Sequence, residues 1–261
     1  MIGTGRAERV VALADIHGVL PALEAVLAEP DVRSADVIAL CGDLAAGPQP
    51  LETLDLLRSL GERAVWVRGN AERELAALAR GRDGAIPDPI TPWAAAQLRE
   101  ADVTLFESLP VSVTLDVGAF GPTVFCNATP RDDEEVALVD SSLERWTEVL
   151  STLDERVRTV VCGHTHMPYA RLVDRRLVVN PGSVGMPYGS VGAHCAVLGP
   201  GLSVQLRRTE FDADAACARI AAESSYEGAA EWADYYVRAR ASDVEALRVF
   251  GPRDGRRVPS T

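Results

Sequence analysis

Short apolar runs alternate with helical patterns through the first eighty residues of the chain. Three runs have the density and length of buried strands: residues 9–14, 37–41 and 64–67. A polar loop and leucines at helical spacing follow each run, and the helices are predicted to end near Pro30, Gly61 and Gly81. Successive strand–loop–helix units indicate a parallel sheet with crossover helices. The polar loops would then share the carboxyl edge of the sheet, where open α/β sheets place their sites.

The pattern changes after residue 81. Residues 82–92 are rich in Gly, Pro and Asp and are predicted to form a surface excursion, followed by short helices up to Pro110. Further strands are predicted at residues 111–117, 123–126, 160–162, 170–173, 177–180, 193–198 and 202–206. The last four form two hairpins, which suggests a second, antiparallel sheet packed on the first.

Helical patterns also occur outside the first three units. A helix is predicted at residues 143–153, with Ser141 or Ser142 as its cap. Residues 212–223 and 228–239 have amphipathic spacing, and the tail after Gly251 is expected to fray. The aromatic side chains of this last region have three interpretations: packing on the body, a homodimer surface, or the mouth of a site. They are Trp232, Tyr235 and Tyr236.

Composition narrows the class of protein. The chain has 261 residues, of which 47% are hydrophobic and 25% charged, enough for a sizeable core. Its formal charge of -12 argues against a general nucleic-acid binder, although a local basic pocket remains compatible with it. All 26 basic residues are arginines, which excludes lysine Schiff-base chemistry and a phosphate-loop lysine. No apolar run is long enough to span a membrane.

The cysteines indicate a reducing compartment. Five are scattered singly, without C-x-x-C spacing, as expected for small core residues rather than a disulfide framework or a thiolate metal site: Cys41, Cys126, Cys162, Cys195 and Cys217. The residues ahead of the first strand do not resemble a signal peptide. We therefore expect a cytoplasmic protein.

Polar side chains follow five of the predicted strands. They are Asp15, His17, Asp43, Asn70, Asn127, His164 and His166. An aspartate and a histidine at i and i+2 in extended backbone point to the same side, so each close pair can reach one ion. A lone carboxylate such as Asp43 can bridge two ions about 3.5 to 4 Å apart. Nitrogen and oxygen ligands without thiolate suit manganese, iron or zinc better than calcium.

Each of these residues also has a structural interpretation. Asp15, Asp43 and Asn70 stand just ahead of predicted helices, where such side chains are favoured caps. Capping is the better interpretation for any one of them alone. Two histidine motifs on the same predicted edge make metal ligation the better interpretation for the set. His194, within an apolar strand, is expected to be a hydrogen-bonded core residue.

Five motifs occur in one order along the chain: Asp15-Ile16-His17-Gly18, Gly42-Asp43, Gly69-Asn70, Gly163-His164-Thr165-His166 and Asn180-Pro181-Gly182-Ser183-Val184-Gly185. In these motifs the sequence resembles the calcineurin-like metallophosphoesterases, especially their compact bacterial branch. The resemblance implies a four-layer α/β/β/α sandwich of two mixed sheets flanked by helices. We expect this domain at residues 1–210, with residues 211–261 as a C-terminal helical extension packed on it.

The resemblance also implies roles for the site residues. Asp15, His17 and His166 would hold a first ion, while Asn70 and His164 would hold a second. Asp43 would bridge the two ions, and Asn127 occupies a further ligand position of the second. The ions would grip a phosphate of a small substrate and lower the pKa of a bridging water, so that hydroxide attacks phosphorus. Asp43, Asn70 and His164 are then the residues closest to the chemistry.

Two positions depart from the family pattern. Asn127 stands where a histidine is expected, and its neutral amide oxygen is a poorer ligand than imidazole. Ala71 stands where many members carry a histidine that assists the leaving group, a deficit of about 10²- to 10⁴-fold if nothing replaces it. Small phosphodiesters, phosphoanhydrides or activated monoesters are therefore the expected substrates. The alternative is a non-catalytic binding or scaffold protein; nuclease action is disfavoured by the acidity.

Overall fold

Three βα units form the first part of the fold, as the apolar pattern predicted. The computed structural model describes residues 6–82 and 88–255. The first elements are β1 (Val10–Leu13), α1 (Leu20–Ala28), α2 (Pro30–Arg33), β2 (Val37–Cys41), α3 (Pro50–Ser59), β3 (Ala64–Val67) and α4 (Asn70–Ala79). Pro30 and Pro50 each occupy the first position of a helix, where the missing N–H costs nothing.

The rest of the chain alternates between helices and hairpins. In order, its elements are α5 (Ile90–Gln97), α6 (Glu100–Ser108), β4 (Ser112–Val117), β5 (Gly121–Cys126), α7 (Leu143–Val149), β6 (Thr159–Cys162), β7 (Tyr169–Val173), β8 (Arg176–Asn180), β9 (Ala193–Gly199), β10 (Ser203–Thr209), α8 (Ala213–Glu223), α9 (Ala229–Tyr236) and α10 (Asp243–Phe250). Residues 83–87 of the predicted surface excursion at 82–92 lie outside the described residues. Ser142, not Ser141, caps α7, because its hydroxyl accepts the Arg145 N–H at 3.1 Å.

The ten strands within the described residues form two five-stranded sheets. The first has the order β10-β9-β1-β2-β3 and the second β4-β5-β6-β8-β7. The prediction that the later strands form an antiparallel second sheet is wrong in two respects. The β9–β10 hairpin extends the first sheet, with Leu198 opposite Val10, and β5, β6 and β8 are parallel. A hairpin pattern is local, whereas membership of a sheet depends on pairing between distant segments.

Small side chains fill the space between the two sheets. Alanines from the first sheet region meet larger residues of the second: Ala12, Ala14, Ala39 and Ala196 pack with Phe125, Val161 and Val179. Helices α1, α8 and α9 cover the outer face of the first sheet, and α7 covers the second. The predicted four-layer α/β/β/α sandwich is confirmed. Trp232 of α9 packs into the outer layer, while Tyr235 remains 49% exposed.

The C-terminal region is more ordered than predicted. Helix α10 was not predicted, although Ser242 and Glu245 form a capping box that marks its start. A 3₁₀ turn follows at Gly251–Arg253, and the buried Asp254 carboxylate accepts a hydrogen bond from Ser141 at 2.7 Å. Residues 256–261 of the expected frayed tail lie outside the described residues. The domain division at residues 210 and 211 stays a prediction.

All five cysteines are buried core residues, as predicted, and their thiols are free. Burial raises the pKa of Cys162 and Cys195 to about 12, which keeps these thiols protonated and inert. Within residues 6–82 and 88–255, no helix combines the length and the apolar character needed to cross a bilayer.

Two leucines in strands provide a test of the inter-sheet core. Leu198 of β9 is fully buried between the sheets, whereas Leu172 of β7 is 73% exposed. We expect Leu198→Ala to lower the free energy of unfolding by about 2–5 kcal/mol, because it leaves a cavity in a layer that cannot collapse freely. Leu172→Ala should change it by less than about 0.5 kcal/mol. Urea denaturation measures both, and equal losses would contradict this description of the core.

Candidate metal centre

The structure places the seven predicted ligands at the carboxyl ends of five strands. Asp15 and His17 follow β1, Asp43 follows β2, and Asn70 begins α4 after β3. In the second sheet, Asn127 follows β5, while His164 and His166 follow β6. These ends meet at one edge of the sandwich. All seven side chains are largely withdrawn from solvent, with Asp15 and Asn127 fully buried.

Four of the residues form a tight group. Ligand atoms of Asp15, His17, Asp43 and His166 all lie within 4.8 Å of one another. Carbonyl oxygens face the Nδ1 atoms of both histidines, Ala46 O at 3.2 Å from His17 and Met186 O at 2.8 Å from His166. A hydrogen on each Nδ1 leaves lone pairs on the two Nε2 atoms, which are 3.3 Å apart. Two facing lone pairs repel each other, so this geometry suits a cation between them.

Burial keeps both of these histidines neutral. It lowers the pKa of His17, and together with neighbouring His17 it lowers the pKa of His166 to about 3. Neutral imidazole is the form that binds metal. The protonation state of the first group therefore fits a divalent cation.

The remaining three residues, Asn70, Asn127 and His164, form a second group beside Asp43. Asn127 Nδ2 is 3.4 Å from Asn70 Oδ1, and His164 is close enough to Asp43 to influence its pKa. Asn127 Oδ1 and both ring nitrogens of His164 are buried, and none has a hydrogen-bond partner among the described residues. Leaving such an atom unsatisfied costs about 1–3 kcal/mol. A second cation would satisfy Asn127 Oδ1 and the ring nitrogen of His164 that carries the lone pair, so this half also fits a metal ion.

The pKa values of the Asp15 and Asp43 carboxyl groups are shifted in opposite directions. Burial, reinforced by the charge of Asp43, raises the pKa of Asp15 well above its usual value. At Asp43, burial is outweighed by the attraction of His164 and His17, so the pKa is lowered. Two buried carboxylates repel each other, and a divalent cation between them would relieve that repulsion.

The backbone at the site differs from the sequence expectation. The two close pairs, Asp15 with His17 and His164 with His166, were expected on extended backbone, but these four residues and Asp43 have left-handed conformations: Asp15 (φ 55°), His17 (49°), Asp43 (56°), His164 (66°) and His166 (58°). The expectation was wrong because the chain turns sharply after each strand rather than continuing it. Left-handed backbone is unfavourable for residues other than glycine and concentrates at functional sites. Turning in this way brings the side chains back over the sheet edge.

Side chains of the fifth sequence motif, residues 180–185, donate hydrogen bonds to the loops that carry the ligands. Ser183 Oγ donates to Asp15 O at 2.7 Å. Asn180 Nδ2 donates to Gly163 O at 2.8 Å and to Thr165 Oγ1 at 3.1 Å. These bonds hold the loops that carry Asp15, His164 and His166. The motif is therefore more than the turn that its sequence indicates.

Glu72 is a site residue that sequence reasoning missed. Its buried carboxylate accepts the N–H groups of Asp43 at 2.9 Å, Leu44 at 2.7 Å and Gly69 at 2.8 Å. It thus joins the loop after β2 to the loop after β3. Burial, with the charge of Asp43, raises the pKa of Glu72 to about 7. The signal was a glutamate three residues after Gly69, the spacing of a capping box.

Close backbone approach explains two glycines. A Cβ at Gly69 would lie 2.2 Å from Asp43 Oδ1, and one at Gly47 would lie 1.6 Å from His17 O. Any side chain at either position would push a ligand loop away. Gly47 was not singled out from the sequence, because nothing local marks a contact with a residue thirty positions away.

Two arginines close in sequence to the ligand residues, Arg68 and Arg131, are engaged in ion pairs. Arg68 pairs with Asp133 at 3.0 Å, and Arg131 pairs with Glu135 at 2.6 Å and with Glu148 at 2.8 Å. Between ion pairing and phosphate neutralisation, the structure favours ion pairing for both. His194 is a core residue as predicted, 6% exposed, with Ser190 Oγ at 3.4 Å from its Nε2.

Ala71, which stands where many family members carry a leaving-group histidine, is buried. Ala71 is 3% exposed, and its methyl group packs in the cluster beneath α4. Its backbone N–H donates to Asp43 Oδ1 at 2.9 Å. Ala71 therefore positions a ligand but offers no proton. Aromatic rings line the opposite side: Phe250 lies 5.8 Å from His164 and Tyr188 lies 5.8 Å from His166, ring centre to ring centre.

A two-sheet α/β sandwich with histidines and carboxylates at its strand ends defines a metallophosphoesterase type of fold. Residues 9–199 match the family model of the calcineurin-like phosphoesterase superfamily domain. The chain belongs to this superfamily, and the resemblance found in the sequence is confirmed.

Two solved structures have folds similar to that of this chain, and a third protein shares a short segment of sequence with it. The chain is similar to a metallophosphoesterase of Sphaerobacter thermophilus, with 24% identity, a TM-score of 0.67 and coverage of 87% of this chain and 98% of that one. A hypothetical protein of Pyrococcus horikoshii has 18% identity and a TM-score of 0.74, over 88% of this chain and 98% of its own. A 47-residue segment is 55% identical to the symmetrical bis(5′-nucleosyl)-tetraphosphatase of Aeromonas salmonicida, covering 18% of this chain and 17% of that relative.

Replacing Glu72 tests whether it organises the ligand loops. Glu72→Gln puts an amide hydrogen where one oxygen now accepts backbone N–H groups, leaving at least one buried donor unsatisfied. We expect the free energy of unfolding to fall by about 1–3 kcal/mol. Glu52→Gln is the matched control on the exposed face of α3 and should be nearly neutral. Similar unfolding curves for the two variants in urea would show that Glu72 does not hold the loops.

Proposed function

We propose that the chain is a two-metal-dependent phosphoesterase that acts on a small phosphodiester, phosphoanhydride or activated monoester. The observation that carries this proposal is the convergence of seven nitrogen- and oxygen-bearing side chains at one edge, with buried lone pairs that lack partners. Such a mixed donor set without thiolate suits Mn, Fe or Zn. Membership of the phosphoesterase superfamily supports the reaction class.

Each half of the centre has a defined ligand set. Asp15, His17 and His166 would hold one ion, and Asn70, Asn127 and His164 the other. Asp43 lies between the halves and would contact both. When bound, the two ions would polarise the phosphoryl oxygens and lower the pKa of water.

Other groups of the chain contribute by holding the ligand side chains in position. Carbonyl oxygens of Ala46 and Met186 fix the ring orientations of His17 and His166. Glu72 and the Ala71 N–H hold the Asp43 loop and carboxylate in place. Phosphoryl transfer depends mainly on such positioning and on electrostatic stabilisation. The site therefore needs no serine or cysteine nucleophile.

The kind of leaving group that the site can release determines the substrate class that we propose. Because Ala71 cannot donate a side-chain proton, substrates whose leaving group departs without one are favoured. A phosphate chain is a good leaving group in a phosphoanhydride. The name of the Aeromonas salmonicida relative specifies a dinucleoside tetraphosphate, which contains such bonds. The formal charge of -12 favours a small substrate over nucleic acid. A cytoplasmic location and a homodimer stay predictions.

Removing the bridging carboxylate tests the proposal directly. Asp43→Asn should lower manganese content and reduce hydrolysis of a chromogenic phosphodiester by about 10²-fold or more, because the lost charge faces both ions. Metal analysis and rates with added manganese measure the two effects. Asp116→Asn on exposed β4 is the matched control. A fully active Asp43→Asn variant would remove Asp43 from the mechanism. A wild-type protein that binds metal but hydrolyses no phosphoester would favour the non-catalytic alternative.

Changing the unusual ligand tests the second half of the centre. Asn127→His supplies an imidazole nitrogen in place of an amide oxygen, so metal occupancy and rate should both rise. Asn127→Ala supplies no ligand and should lower both. Metal content per chain and the rate with a chromogenic diester are measured, and urea unfolding checks that the larger ring is accommodated. Identical metal content in a folded His variant, the Ala variant and the wild type would show that residue 127 is not a ligand.

A further inference from the structure

The second half of the centre depends on two asparagines that come from different sheets. Asn70 follows β3 at the edge of the first sheet, and Asn127 follows β5 in the second. Their side chains are 3.4 Å apart. An asparagine side chain is shorter than a histidine side chain. The two loops must therefore be held close together.

The orientation of the Asn127 amide is set mainly by the shorter of two hydrogen bonds, since its Nδ2 also donates to Asn70 Oδ1 at 3.4 Å. Its Nδ2 donates to the main-chain oxygen of Asp133 at 2.9 Å. The reversed amide would place Oδ1 against that carbonyl oxygen, which is repulsive. With Nδ2 committed to Asp133, Oδ1 lies on the other side, 2.7 Å from where a Cβ of Gly42 would be, and has no partner among the described residues. The carbonyl of Asp133 therefore decides which Asn127 atom faces the centre.

Two arginines hold Asp133 in this place. Its carboxylate, 7% exposed, pairs with Arg68 Nε at 3.0 Å and with Arg73 Nε at 3.1 Å. Arg68 lies two residues before Asn70, and Arg73 lies in the first turn of the helix that Asn70 begins. The Arg68–Asp133–Arg73 clamp thus connects the loop of Asn127 to the loop of Asn70 across the two sheets.

The loop between Asn127 and Asp133 is stiff enough to transmit this restraint. Thr129 N–H donates to Asp132 O at 2.9 Å. Asp132 Oδ1 accepts the N–H groups of both Glu134 and Glu135 at 2.8 Å. Fixing the Asp133 side chain therefore also fixes its main-chain oxygen.

We propose that Asp133 is a positioning residue for the second metal ion: the clamp holds its carbonyl against Asn127 Nδ2 and so aims the Asn127 oxygen at that ion. This inference rests on the proposed two-metal function. It explains how an asparagine can serve at a ligand position where the chain lacks a histidine. Asp133 itself touches neither ion nor substrate.

Manganese titration of the metal-stripped full-length protein tests the proposal. Asp133→Asn keeps the size of the side chain, but its Nδ2 cannot accept from an arginine, so one arm of the clamp is released. We expect the second Mn²⁺ to bind about 10- to 100-fold more weakly while the first keeps its affinity. The electron paramagnetic resonance signal of a coupled Mn²⁺ pair should weaken in parallel. Calorimetry and this signal are both independent of turnover.

Two further variants separate positioning from general effects. Glu134→Gln removes a neighbouring negative charge, 47% exposed, which pairs with Arg73 through Nη2, whereas Asp133 pairs with it through Nε. The Asp133 carboxylate stays intact, so this variant should weaken the second ion by less than about fivefold. In an Asn127→Ala background, Asp133→Asn should cause no further loss, because Asp133 acts through the amide. Such non-additivity would not arise from a merely destabilising substitution.

The outcomes are distinct. If the wild type binds two Mn²⁺ and Asp133→Asn binds both with unchanged affinity, the inference is overturned and the proposed function stands. Equal losses in Asp133→Asn with and without Asn127 also overturn it. A wild type that binds a single Mn²⁺ overturns the inference together with the two-metal centre, and one that binds none overturns the proposed function itself.

Discussion

A buried carboxylate joins the two sheets where the functional residues meet. Both oxygens of Asp15, at the end of the first sheet, accept the backbone N–H of His164, at the end of the second, at 3.1 and 3.0 Å. Burying an anion beside Asp43 is unfavourable, as the raised pKa of Asp15 shows. The interaction persists because the surrounding loops hold both partners in place. This interaction joins the loop of Asp15 and His17 to the loop of His164 and His166 at the edge where the ligands lie.

Conformational strain accompanies this electrostatic cost. Left-handed backbone at a residue other than glycine costs about 1–3 kcal/mol and persists only where the surroundings dictate it. Here the surroundings are a frame of buried polar groups beneath the ligands. Glu72 holds the Asp43 loop, while Ser183 and Asn180 hold the loops of Asp15 and His164. These residues carry no chemistry, yet the ligand geometry exists because of them.

The two halves of the centre are built differently. The first half has neutral imidazoles oriented by backbone carbonyls, an arrangement that the local loops complete by themselves. The second half combines His164 with two amides, and one of these is oriented from a loop six residues further along the chain. Amide oxygens bind transition-metal ions less strongly than imidazole does. On the proposed function, occupancy of the second half would therefore be the more sensitive to the surrounding structure.

The α/β/β/α class followed from the resemblance to the calcineurin-like metallophosphoesterases, while the sequence alone determined the βα units and the identity of the seven converging side chains. It could do so because strand and helix periodicities and polar residues at strand ends are local features. The tertiary structure decided that the β9–β10 hairpin joins the first sheet, that the ligand loops turn left-handed, and that Glu72 and Asp133 support them. Each of these features depends on contacts between residues that are distant in the chain. The energies of such contacts cannot be read from a short stretch of sequence.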